Sequence, residues 1–597
     1  MRQVLSVKKT AGFPSWKQLK QLPSVLSRTE KRVVFGSLGL IVLSLGIIGV
    51  SYISSHRIII PAIGGEYTEG LIGEPQFLNP LYAISSDVDQ DIVSLVYSGL
   101  VRWDQQEGFI PDLAESISLN EDGTVYTLKI RENAKFHNGE DVLARDVLFT
   151  INAIQNPAYR SPLADQFYDV TVVQEDDTTV SFILKDASAP FIESLTVGIL
   201  PASLWANILP QNAPLAALNL QPIGSGPYQF AEFTKDKKGS IREYRLKRND
   251  DYYLEAPYIQ QLNFKFYPDV FSLHEALQNK NIEGAGIVGF DQRESVIANK
   301  NVDLLEPFFP RETVLYFNQA LSPALKDLAV RQAIAAGINK EALVSEIYQD
   351  SARVIHAQIL EGMIGYDETR IDLFDTTQSK TLLDEAGYAL DEETGVRLLK
   401  KSLRTQTTSD DEEATDAEST PEPVVAQTLQ FTLTTVDQTD LALVAEHIQA
   451  DLKAIGIDVT LNLVSPEQIA TEVIDARNFE LLLAPIMLEA DPDPYPFWHS
   501  TQAKTSGLNL TGYSNSKVDT LLETGRTQLD ENARAQTYIE FQSLLAEDVP
   551  VVYLYQSTYG YALSKKIQRE VLTNILVPSD RFADITSWYL KTKKALR

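Results

Sequence analysis

The chain has 597 residues, too many for one ordinary domain, and its apolar share of 44% supports several buried cores. It contains no cysteine, which excludes disulfides and a thiolate metal site. Its formal charge of −29 is uneven: residues 1–56 hold eight Lys or Arg and one acid, whereas residues 57–597 hold 44 basic and 80 acidic residues. A body that acidic repels nucleic acid and anionic lipid and favours cationic ligands, so no nucleic-acid partner is expected.

Residues 1–32 are polar and basic, and Val33 to Ile53 then runs 21 residues without a charge. That matches the roughly 20 residues a bilayer-spanning helix needs. A buried core helix of this length would show a polar face, and a cleaved signal would have a shorter core. Ser54-Ser55-His56-Arg57 also lacks the small-residue pattern of a cleavage site, so an uncleaved membrane anchor is favoured. The basic flank keeps the N-terminus cytoplasmic and sends the body outside the membrane, into an extracellular or periplasmic space.

The stretch 70–151 organises the body. Glu74-Pro75-Gln76-Phe77-Leu78-Asn79-Pro80-Leu81 is extended between prolines, because the residue before each proline is pushed out of helix geometry. Asp89 to Leu100 reads as an amphipathic helix with Ile92, Leu95 and Val96 inward. Asn120 to Gly123 is a turn, and Thr124 to Ile130 alternates as a half-buried strand. Phe136-His137-Asn138-Gly139 precedes a helix whose cap position holds Leu143. Val170–Val173 and Val180–Leu184 are strands joined by an acidic turn. Pro222-Ile223-Gly224-Ser225-Gly226-Pro227-Tyr228 forms a tight turn before a strand; no helix or lysine follows, as a phosphate loop requires.

Thr313 to Gln319 is an apolar strand, followed by a helix over 325–337. Lys380 to Ala386 is a helix stopped by Gly387. Residues 404–427, dominated by Thr, Ser, Asp, Glu and Pro, bury too little surface to offset chain entropy, so a disordered insertion is expected. Beyond it, Leu429–Thr435, a helix over 441–455 and an alternating strand over 457–463 make a strand–helix–strand unit, which favours a parallel crossover. Phe479 to Pro485 is apolar enough for the centre of a sheet covered on both faces. The fold class is α/β.

These pieces, in this order, resemble the family 5 solute-binding proteins of bacterial ABC importers, which bind oligopeptides, dipeptides or nickel. The carrying residues are Glu74–Leu81, Val96–Val101, Pro111–Glu115, Phe136–Gly139, Pro222–Tyr228, Arg248–Tyr253, Thr313–Gln319 and Val330–Ile334. The resemblance covers about Glu66 to Trp588 and implies a three-lobed, periplasmic-binding-protein-like ectodomain of the large type II class. It would place 66–98, 190–315 and 548–597 in one lobe, 99–189 in a second and 316–547 in a third. It further implies capture of a solute, foremost an oligopeptide, for an ABC permease. A metal chelate or other non-peptide solute, a surface hydrolase, and a sensor or adhesin are the competing readings. The cysteine that carries a lipid anchor in many relatives has no counterpart here.

Asp491-Pro492-Asp493-Pro494-Tyr495-Pro496-Phe497-Trp498 follows the central strand, where open α/β sheets bind ligands. Asp491, Asp493, Tyr495 and Trp498 are therefore candidate ligand contacts, though a proline-stiffened turn with a capping aspartate fits the same residues. Asn79, the turn Gly224, Ser225 and Gly226, and Tyr316 with Asn318 on the crossing strand complete the candidate set. In peptide binders of the family an aspartate shortly before this run accepts the peptide's amino group; counting back here reaches Leu488 or Glu489. No nucleophile elbow, zinc motif or Walker sequence occurs, and the six histidines are scattered, so no catalytic residue, metal or cofactor is expected.

Overall fold

Ser27 and Glu30 open the N-terminal helix as a capping pair, the Ser27 hydroxyl and amide both donating to one Glu30 oxygen at 2.7 and 2.9 Å. The structure is a computed structural model and describes residues 16, 20, 24, 26–55, 57–349, 351–400 and 426–596. The helix runs Arg28–Ser55, and its stretch Arg28–Ile48 is long and apolar enough to cross a membrane. Val33, Phe35, Leu38, Ile41 and Leu45 are all exposed, so it is apolar on every side. Strand Arg57–Ala62 follows and pairs antiparallel with the terminal strand Lys591–Leu596. Met1–Ala62 and Lys591–Arg597 form one compact unit, and Ile63–Leu590 a second.

The second unit is built on three main sheets. The first has seven strands in the order Val302–Leu305, Tyr561–Ser564, Gly284–Ala285, Glu66–Ile72, Gln261–Tyr267, Ile241–Arg248, Tyr228–Lys235. Residues from both ends of the chain thus share one sheet. Arg581, fully buried, secures the C-terminal return: it bonds Asp91 at 2.7 and 2.6 Å and Glu69 at 3.1 Å. A four-stranded antiparallel sheet orders Ala114–Leu119, Val125–Ile130, Thr179–Ile183 and Thr171–Gln174. Asn120 closes its first turn by accepting from the Thr124 and Val125 amides. Beside it, helix Ala144–Gln155 starts without a side-chain cap from Leu143; Asp146 instead reaches back to the Leu143 amide at 2.9 Å.

The third sheet orders Ala352–Val354, Val551–Thr558, Phe308–Phe317, Leu481–Met487, Gln430–Val436 and Asp458–Val464. The last two strands are parallel and joined by helix Thr439–Ala454, whose Leu441, Val444, Ile448 and Leu452 are buried. Gly456 ends this connection at φ +85°, where a side chain would meet Arg397. Both faces of the sheet are covered: Leu481 and Leu483 enter one core and Leu482 and Ala484 another.

Several boundaries differ from the sequence reading. Strands Phe308–Phe317 and Val551–Thr558 pair with each other in the third sheet, so residues 308–315 and 551–558 are not part of the first. The chain crosses between the two sheets at 306–307 and 559–560, and the Tyr559 amide bonds the Pro307 carbonyl at 2.9 Å. Apolar strands on either side of a crossing look alike in sequence, which hides its position. The helix expected over 89–100 spans Asp87–Val96: Ser86 caps it, and the Gly226 amide takes the Val96 carbonyl at 2.8 Å. Of the expected insertion, residues 404–425 lie outside the described residues, while Gln427 pairs with Leu399 within strand Ala426–Thr428.

Candidate functional site

Between the seven- and six-stranded sheets lies a cavity of about 1090 Å³. A second cavity, of about 970 Å³, runs on toward the four-stranded sheet. The two share Gln90, Glu193, Glu489 and Val577 in their walls and so form one groove. It is large enough to enclose a ligand of several residues.

Opposite walls contribute unlike chemistry. Alternation along Phe308–Phe317 turns Arg311 and Thr313 into the groove and sends Glu312, Val314 and Tyr316 to the other face. Arg311 has no ion-pair partner among the described residues, whereas Arg293 nearby is paired with Glu306. Tyr348 packs edge-on against Phe290 and tilted against Tyr555, at centroid distances of 5.8 and 4.7 Å, and gives the groove an aromatic floor. Tyr348 and Tyr555 share a 2.7 Å hydrogen bond, and Tyr348 donates to Asp440 at 3.2 Å.

Where the two cavities meet, Glu193 and Glu489 face each other with no cation bound to either among the described residues. Burial, with the repulsion of Glu489 added, pushes the Glu193 carboxyl up to about 7; weak bonds from the Ala490 and Asp491 amides, at 3.4 and 3.5 Å, oppose this. Burial also raises Glu489, with Asp493 and Asp491 adding and Arg526 opposing. Two carboxyls held this way are stabilised by any cation that enters between them.

Of the ten residues proposed from sequence, Asp493 and Tyr495 line the groove. Asp493 receives Arg526 at 2.8 and 2.6 Å, and the same guanidinium lies 4.1 Å over the Tyr495 ring. Tyr495 stacks on His499 at 4.2 Å. Asp491 does not line the groove; Arg534 holds both its oxygens, at 2.5 and 2.6 Å. Trp498 is 3% exposed and donates to Gln358 at 2.6 Å. Tyr316 is buried with it on the far face of the sheet. Asn318 donates to the Arg477 carbonyl at 2.9 Å, and Asn79 braces its own turn through the Leu81 amide at 2.9 Å.

The turn Gly224-Ser225-Gly226 packs on the end of helix Asp87–Val96, where a side chain at Gly224 would sit 2.1 Å from the Val96 oxygen. His137 locks it: its Nδ1 accepts from the Gly224 amide at 3.3 Å and its Nε2 donates to the Gly226 carbonyl at 3.0 Å. That pattern needs a neutral ring, and burial lowers the His137 pKa to about 4. The Gly224 and Gly226 amides are therefore both in use within the fold. Sequence reasoning missed Glu193, Arg311, Tyr348 and Tyr555. Period-two alternation could have found Arg311; Glu489 was reached only as a neighbour of Leu488, which is buried with its amide on the Pro310 carbonyl at 2.8 Å.

Comparison with known proteins gives one consistent result. The profile of the bacterial extracellular solute-binding proteins, family 5, middle region, matches residues 108–509. The chain is 27% identical over 527 residues to the oligopeptide-binding protein AppA of Bacillus subtilis, covering 85% of this chain and 89% of the relative. It is 24% identical over 524 residues to the dipeptide-binding protein of Escherichia coli K12, covering 84% and 91%. The structure of Bacillus subtilis AppA in complex with a nonapeptide superposes with a TM-score of 0.65 at 25% identity, over 89% of this chain and all of the other. The substrate-binding protein CtaP of Listeria monocytogenes superposes with a TM-score of 0.74 at 23% identity, over 88% and 99%.

Proposed function

Because the chain belongs to the bacterial extracellular solute-binding proteins of family 5, we propose that it captures a peptide in this groove and delivers it to the permease of an ABC importer. The observation that carries the reading is the uncompensated Glu193–Glu489 pair at the waist of a groove of about 1090 and 970 Å³. A peptide ammonium placed between the two carboxyls supplies the missing cation, and Arg311 supplies a partner for a peptide carboxylate. The aromatic floor of Phe290, Tyr348 and Tyr555 accepts apolar side chains without selecting among them, as a binder of varied peptides requires. The peptides named for the relatives above support the same class of ligand.

In this reading the three sheets belong to three lobes, and the paired crossings at 306–307 and 559–560 are the hinge on which two of them close. The helix Arg28–Ser55 is the uncleaved anchor, with the N-terminus cytoplasmic and the body outside the membrane. Native mass spectrometry of the chain purified in detergent tests the ligand. Co-purified peptide supports the reading, and a metal chelate or sugar in its place replaces it. Carbonate extraction with N-terminal sequencing of membrane-bound protein tests the anchor; a mature N-terminus beyond Ile53 would exclude it.

A further inference from the structure

The short ribbon beside the helix has a composition unlike the rest of the chain. Residues 56–63 and 591–597 carry five basic residues and no acid, whereas residues 64–590 carry 39 basic and 80 acidic ones. In the ribbon Ile59 stands opposite Lys594, Ile60 opposite Lys593 and Ala62 opposite Lys591. Lys591, Lys593 and Lys594 are all exposed, and none has an ion pair among the described residues. Ile58 and Ile59 are 41% and 70% exposed. A two-stranded ribbon that shows isoleucine to water is marginal by itself, so its exposed face wants a cover.

Opposed residues of an antiparallel pair share a face and neighbours along a strand alternate, so Lys591 and Lys593 share one face with Ile58 and Ile60, while Lys594 lies with Ile59 on the other. Cations on long stems around apolar side chains are the pattern of a water–lipid interface. The location agrees: strand Arg57–Ala62 begins two residues after the helix ends at Ser55. Two residues span at most about 7 Å, within one Debye length of the surface at physiological salt, about 8 Å.

We propose that the ribbon Arg57–Ala62/Lys591–Leu596 lies on the membrane by one face, binding the phosphates of anionic phospholipid headgroups through Lys591 and Lys593, with Ile58 and Ile60 at headgroup depth. The inference rests on the anchored reading of the helix. It gives an acidic body, which anionic lipid repels, an attractive contact at its point of attachment.

The test places the full chain in nanodiscs of phosphatidylcholine alone or with added phosphatidylglycerol, and follows amine acetylation of each lysine by mass spectrometry. Acetylation of Lys591 and Lys593 is expected to slow by about threefold or more in the anionic discs, with Lys594 on the other face slowing less, high salt reversing it and Lys326 unaffected. Equal rates in both discs overturn the proposal, and so does slowing confined to Lys594, which would put the opposite face on the membrane. Equal slowing by soluble polyphosphate in phosphatidylcholine discs overturns the lipid assignment in favour of a polymeric anion. Failure to enter either disc would instead exclude the anchor. Cosedimentation of the same chain with anionic and zwitterionic vesicles then decides the ribbon, equal binding to both overturning it.

Discussion

Two sets of carboxyls in this chain have opposite fates. Glu69 and Asp91 are shut inside the seven-stranded sheet with Arg581, and all three side chains are essentially inaccessible. Glu193, half-buried, and Glu489, open to the groove, stand at its waist with no such partner among the described residues. The first set is complete, and its charges hold the C-terminal segment to the N-terminal strand Glu66–Ile72. The second is incomplete within the chain and becomes complete when a cationic ligand arrives. Burial of an acid therefore does not mark a site; an acid left without a compensating cation on the wall of a groove does.

The sharpest way to break the comparison is to make the first set resemble the second. Arg581→Met leaves Glu69 and Asp91 buried and unpaired, which costs about 3–5 kcal/mol. Denaturant unfolding should show a loss of that size, with release of the C-terminal segment seen as faster amide exchange in Tyr561–Ser564. A variant as stable as the parent would mean the network holds nothing together.

The loop after the central strand holds two arginine-paired carboxylates within three residues, whose partners differ in exposure. Asp491 pairs with Arg534, whose side chain is 6% exposed, while the Arg526 partner of Asp493 is 40% exposed. Asp491→Asn should therefore destabilise by about 3 kcal/mol, because an uncompensated guanidinium stays buried. Asp493→Asn should change stability by less than about 1 kcal/mol. A thermal-shift comparison of the two variants checks this, and equal shifts would remove the distinction.

How far the sequence carried follows the same division. Strand and helix identities were legible wherever one face is buried, as in Thr439–Ala454 with its inward Leu441, Val444, Ile448 and Leu452. The family was legible from the order of local turns. The candidate site was legible only as a place, the loop beyond Leu481–Met487. Proline and aspartate in that loop serve the backbone and two arginines, and nothing in their spacing reveals Arg526 and Arg534 more than thirty residues on. Glu193 follows an unremarkable proline, and its meeting with Glu489 depends on how the sheets face each other across the groove. Local patterns cannot encode that.

Within the second set, Glu489→Gln removes one of two carboxyls facing the ligand. It should weaken peptide binding at least tenfold, about 1.4 kcal/mol, while stability holds or rises because like-charge repulsion is relieved. Titration calorimetry with the co-purified peptide, beside the same thermal-shift assay, measures both. Unchanged affinity would return Glu489 to the framework.

The smallest expected effect, less than one proton, is also the most specific to Glu193. Its carboxyl is raised from 4.5 to about 7 in the unliganded fold, so between those values the folded chain holds a proton that the unfolded chain has lost. Stability of the unliganded chain should therefore fall as pH rises through that window. An arriving ammonium favours the ionised carboxyl, so binding near pH 6, roughly the middle of the window, should release a fraction of a proton, and affinity should climb with pH and level off above about 7. Calorimetry at that pH in two buffers of different ionisation enthalpy reads the release directly. In Glu193→Gln the two buffers should give the same enthalpy and the pH dependence should flatten. If the unaltered chain already shows no buffer dependence, the ligand does not compensate this carboxyl, and the waist of the groove is not where its positive charge rests.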